Sequence, residues 1–228
     1  MDYIIDGFKQ AFYLIFTLDR EVFSAVFVSL RVSCTAIILA TIVGSPLGFF
    51  IAVGEFRAKR FVITVFNTLM AMPTVVVGLL VYSFLSRRGP LGMLNLLYTP
   101  TAMIIGQFIL AIPIVTALTI SAIHGIDEKI ATTALTLGAS GRQAALIVFL
   151  EARFGLLAAI TSGFGRIIGE VGSAMMLGGN IRGVTRTMST AIALQTSMGE
   201  FDVGIALGII LLLVAFLINI LFHYFQHK

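Results

Sequence analysis

Two charged side chains, Arg166 and Glu170, stand inside an otherwise apolar stretch over residues 154–177. A charge in hydrocarbon costs about 2.5–3.5 kcal/mol on insertion scales, so such residues face a bundle interior or an aqueous path. Four apart on a helix, they can neutralise each other. An unpaired Glu170 would repel an anion. The pair is therefore expected beside a path, with Glu170 held by Arg166 or by backbone donors rather than touching an anionic cargo. Other chemistry is sparse. Cys34 is the single cysteine, and His124, His223 and His227 lack ligand spacing, so no metal site is expected. No nucleophile–base constellation and no phosphate-binding loop occurs, so no catalytic residue is assigned and no cofactor is expected on this chain.

The elements that position these residues follow from composition. Of 228 residues, 58% are hydrophobic and 11% charged, against about a quarter charged in soluble domains. Mean hydropathy is +1.04. The solvent for most of the chain is lipid, where only structures that satisfy their own backbone groups survive. Apolar runs about 20 residues long cross a bilayer as helices. Five such spans are expected, at about 22–54, 61–86, 101–123, 154–177 and 203–224. Residues 1–21 mix Ile4, Phe8, Phe12 and Phe16 with Asp2, Asp6, Lys9 and Asp19, and predict an interfacial helix. A short tail, 225–228, follows the last span. Asp2 and Asp6 stand where a cleavable signal would be positive, so none is expected. The net charge of +4 comes without a basic run or a basic–aromatic patch, which argues against nucleic acid. Pro73, inside the second span, predicts a kink; Pro46 and Pro113 do the same in theirs.

Residues 124–153 read HGIDEKIATTALTLGASGRQAALIVFLEAR. Asp127 and Glu128 suit a helix N-terminus. Gly138 suits a helix end, and Ser140 can cap a second helix from Gly141. The segment predicts two short helices between membrane spans.

This segment resembles the loop of type I ABC importer permeases, whose pattern is Glu-Ala-Ala, three residues, Gly, nine residues, then Ile-x-Leu-Pro. Thr132-Thr133-Ala134 stands at Glu-Ala-Ala, Gly138 at the glycine with Ala139 after it, and Val148-Phe149-Leu150 at Ile-x-Leu. Thr132 replaces the glutamate and Glu151 the proline. The resemblance implies an all-α, five-span permease fold and an ATPase-coupling role for this loop. It places residues 124–153 and the C-terminus inside and the N-terminus outside. Charge alone does not decide orientation, since basic residues divide almost evenly between the two sides.

A second block is similar to molybdate-type permeases. Gly169-Glu170-Val171-Gly172-Ser173 matches Gly-Glu-Phe-Gly-Ala, and Gly179-Asn180 and Thr185-Arg186-Thr187 follow in order. Together with Pro73–Leu80, Ser86–Gly92 and Thr99–Met103, these blocks look most like tungstate permeases. Gly172 is expected at a helix contact and Gly178-Gly179-Asn180 in a turn at the outer face; with Pro73, Arg166 and Glu170, the residues Gly172, Gly179 and Asn180 are the candidates for the pathway or its gate. Arg87, Arg88, Arg182 and Arg186 would fall outside, as anchors or as docking points for a binding protein. The resemblance further implies a homodimer in the cell membrane, cytoplasmic ABC ATPase subunits that supply ATP and Mg, and an extracytoplasmic substrate-binding protein. An ion-coupled secondary transporter is the rival reading, but no inverted repeat is visible.

Overall fold

In a computed structural model, residues 2–226 are described. Among them eleven α-helices form and no strand occurs. The helices are α1 (Asp2–Phe16), α2 (Arg20–Val53), α3 (Lys59–Met70), α4 (Thr74–Leu85), α5 (Pro100–His124), α6 (Glu128–Thr136), α7 (Gly141–Glu151), α8 (Arg153–Ile168), α9 (Gly172–Gly178), α10 (Met188–Met198) and α11 (Phe201–Gln226).

Helices α2 and α5 are the scaffold. Asp19 caps α2 by accepting the Glu21 and Val22 amides. Thr99 caps α5, whose first residue is Pro100, where a missing N–H costs nothing. Lipid tails are as apolar as leucine, so these helices associate through close contact rather than through the hydrophobic effect. Glycines provide it: a Cβ added at Gly48 would stand 2.7 Å from the Thr116 carbonyl oxygen. Val32, Ala36 and Ala40 of α2, Ala111 and Val115 of α5, Phe164 and Ile167 of α8, and Leu177 of α9 form the buried centre.

Three helices, α2, α5 and α11, are each long and apolar enough to cross a membrane, and up to five spans result if the bent pairs α3–α4 and α7–α8 each count as one. Two expectations of continuous spans need correction. The stretch 61–86 is α3 and α4, bent by 95° at Ala71-Met72-Pro73. Pro73 therefore marks a break rather than a kink. It stands as the N-cap residue of α4, extended at φ −61° and ψ 123°. The stretch 154–177 is likewise α8 and α9, separated by Gly169, Glu170 and Val171. Pro46 and Pro113 remain inside unbroken helices.

Helix α1 does not lie alone. Its small face seats on α11: a Cβ at Gly7 would come within 2.6 Å of Ile205, and Ala11 is buried. Ile4, Ile5, Phe8, Phe12 and Phe16 face away, exposed. Helix α10 has no counterpart among the elements expected from the sequence. The tail 225–228 lies partly outside the described residues.

Candidate functional site

The hairpin α6–α7 is specified at every turn residue. Asp127 caps α6 by accepting the Lys129 amide at 2.9 Å. At the far end, Gly138 donates to the Leu135 carbonyl and Ala139 to the Ala134 carbonyl, both at 3.0 Å. That pair of bonds is the Schellman motif, which requires a left-handed residue, and Gly138 has φ +89°. Ser140 and Gln143 then form a reciprocal capping box, with the Gln143 Oε1 accepting the Ser140 amide at 2.8 Å. Ala134 and Ala144 are the buried residues of the two helices.

The tip is open and apolar. Leu137 is 82% exposed, and Leu135, Leu146, Ile147 and Leu150 are exposed beside it. Thr132 and Thr133 are exposed on α6, with the Thr132 hydroxyl bonded back to the Glu128 and Lys129 carbonyls. The base is anchored. Val148 and Phe149 pack against the cluster of Ile51, Ala52, Ile120 and Ile123, and the Phe149 ring meets that of Phe49 edge-on at 5.2 Å. A single buried residue, Ala152, separates α7 from α8, across a bend of 55°.

The second centre is the joint between α8 and α9. Where α8 ends, the Ile167 carbonyl, which also accepts the Glu170 amide, accepts the Gln107 side-chain amide of α5 at 3.2 Å. Gln107 in turn accepts the Ser33 hydroxyl of α2 at 3.1 Å. Glu170 is 4% exposed. Its Oε1 accepts the Ser173 amide at 3.0 Å, capping α9. Its Oε2 stands 3.8 Å from Nη1 of Arg166, whose side chain is 50% exposed. Its carbonyl accepts the Ser189 hydroxyl of α10 at 2.8 Å. Glu170 thus ties three helices.

The two broken helices meet. A Cβ at Gly172 would lie 2.9 Å from Val75 and 3.3 Å from the Thr74 hydroxyl. Met72, Thr74, Arg166 and Glu170 line one small cavity. The structure thus brings Arg166, Glu170, Gly172 and the Pro73 break together at one place. Gly179 and Asn180 lie elsewhere, in the turn after α9, with φ +67° and +52°.

Arg186 and Arg182 both pair with Glu21, at the start of α2. Arg186 is 17% exposed and its Nη2 reaches the Asn180 carbonyl at 3.5 Å, so it braces the turn from within. Arg182 is 71% exposed. Arg87 and Arg88 follow α4, both exposed. Sequence reasoning missed Glu21, Gln107 and Ser189. Glu21 was legible as an acid in the first turn of α2; no sequence signal singled out the other two.

A bundle of broken and continuous apolar helices with an inserted, capped helical hairpin defines a membrane-embedded permease. The chain belongs to the family described as the binding-protein-dependent transport system inner membrane component, whose model matches residues 44–228. It is a multi-pass membrane component of such a system. It is 42% identical over 228 residues to the tungstate uptake system permease protein TupB of Peptoclostridium acidaminophilum, covering 100% of both chains. It is 45% identical over 223 residues to the protein of that name from Campylobacter jejuni, covering 98% of this chain and 93% of that one. The molybdenum transport system permease protein ModB of Escherichia coli is 27% identical over 207 residues, covering 84% and 90%. Among solved structures, the inward-facing MetNI methionine ABC transporter superposes with a TM-score of 0.75 at 19% identity, over 91% of this chain and 95% of that one. That likeness concerns the fold.

Proposed function

We propose that this chain is the membrane-spanning permease subunit of an ATP-driven importer whose cargo is an oxyanion, tungstate. The observation that carries this reading is end-to-end identity of 42% with a tungstate permease, matched by 45% with a second. Molybdate is the alternative cargo, supported by a relative at 27% identity.

The working unit is a homodimer of five-span subunits in the cell membrane, with the N-terminus outside. Two cytoplasmic ABC ATPase subunits hydrolyse ATP with Mg and receive the hairpin tips at Leu137. An extracytoplasmic binding protein delivers the anion to the opposite face. Closure of the ATPase subunits displaces α6–α7, and the bend at Ala152 passes that displacement to α8 and the Glu170 joint. A preformed element with two stable arrangements converts a local push into a gate movement. The partly exposed Arg166 offers positive charge to a passing dianion, while Glu170 holds it in place.

Proteoliposomes containing this chain, its ATPase and its binding protein test the reading. ATP-dependent tungstate uptake is expected. Uptake without ATP or the ATPase would sink it in favour of a secondary transporter, and ATP-dependent uptake preferring molybdate would replace only the cargo.

A further inference from the structure

A further cleft lies away from both centres. It has a volume of about 680 Å³ and is lined by Tyr82, Ser86, Arg87, Arg88, Asn95 and Tyr98 among others. No acidic side chain lines it. Arg182 and Arg186 share Glu21, whereas Arg87 and Arg88 have no ion pair among the described residues. Two adjacent uncompensated guanidinium groups repel each other until an anion bridges them.

The cleft is shaped at a cost. Asn95 and Tyr98 both take left-handed backbone, with φ +48° and +62°; asparagine tolerates this, whereas it costs Tyr98 about 1–2 kcal/mol. Tyr98 is held there by its amide on the Leu177 carbonyl at 2.8 Å, and its ring rests on Gly179. The hydrogen bond with the neighbouring Tyr82 hydroxyl raises the Tyr98 pKa.

Position and size identify the ligand. The cleft lies between the end of α4 at Leu85 and the start of α5 at Pro100, and the ends of apolar helices in a membrane stand at the level of the lipid head groups. Beside it Leu91, Met93 and Leu94 are exposed, Met93 by 93%. A free tetrahedral oxyanion fills a small part of such a volume. A lipid head group fills more of it and sets its acyl chains against the apolar finger.

We infer that this cleft binds the phosphodiester head group of an anionic phospholipid, with Arg87 and Arg88 on the phosphate. The inference rests on the membrane setting alone and stands apart from the cargo.

Native mass spectrometry of the detergent-purified full chain, titrated with phosphatidylglycerol or phosphatidylcholine, reads this site. Phosphatidylglycerol should be retained preferentially. Joint substitution Arg87→Gln and Arg88→Gln should weaken that retention about tenfold or more, and Tyr98→Phe should weaken it less. Both arginines are exposed, so the fold does not depend on them. Equal retention of the two lipids, or unchanged retention by the double variant, overturns the inference. Displacement of phosphatidylglycerol by millimolar tungstate, beyond that by sodium chloride of equal ionic strength, also overturns it and makes the cleft a free-oxyanion site.

Discussion

The Glu170 carboxylate accepts the amide of Ser173 at 3.0 Å, across a break in the helix that both residues were expected to share. The same side chain reaches back to Arg166. One acid thus supplies a partner for an amide in the first turn of α9 and balances a nearby cation.

Removing that acid separates the two roles. Glu170→Gln keeps a carbonyl oxygen for Ser173 and loses the charge. Thermal stability in detergent should change little, while the rate of uptake falls. Glu170→Ala should also lose about 0.5–2 kcal/mol of capping energy. Equal uptake by wild type and Glu170→Gln would show that Arg166 does not need its partner.

Gly138 has φ +89° with open space around its missing Cβ. A substitution there meets backbone strain rather than collision. Gly138→Val should cost about 1–2 kcal/mol and distort the hairpin. The ratio of ions imported to ATP hydrolysed in proteoliposomes should fall, and Gly138→Asn, which tolerates left-handed backbone, should restore most of it.

Glycine contacts between helices make opposite forecasts for the same chemical change. A Cβ at Gly48 would collide with the Thr116 carbonyl, whereas nothing lies within 4 Å of one at Gly208. Gly48→Ala should destabilise by about 1–3 kcal/mol through overpacking. Gly208→Ala should be neutral or stabilising by up to about 1 kcal/mol through helix propensity. Melting temperatures of the two variants check this.

Glu21 holds a mostly buried cation and a mostly exposed one. A double-mutant cycle of Glu21→Ala with Arg186→Ala should return a coupling of about 0.5–3 kcal/mol. The cycle with Arg182→Ala should return less than about 1 kcal/mol, because water screens an exposed pair.

How much of this was legible depends on what each element needs. Helices α2, α5 and α11 announce themselves, because a long apolar run, interrupted in α2 by Arg31, admits no other structure in lipid. The hairpin was equally plain, since Asp127, Gly138 and Ser140 are punctuation that acts locally. The breaks were not. The spacing of Arg166 and Glu170 fits a continuous helix as well as the observed joint. What decides between them is Gln107 and Ser189, which bond the Ile167 and Glu170 carbonyls at the joint from distant parts of the chain. Pro73 gave the place of the other break but not its 95° extent. Helix α10 escaped notice because its capping residues, Thr187 and Thr190, stand in a run of small polar residues that suits a loop equally well.

The single residue between α7 and α8 has a mechanical meaning. Helix α8 has 16 residues, a lever about 24 Å long. Turning about Ala152 by roughly 10° would sweep its far end through about 4 Å. That stroke exceeds the length of every hydrogen bond that secures the Glu170 joint, so a modest rocking of the hairpin is enough to undo one set of bonds and make another.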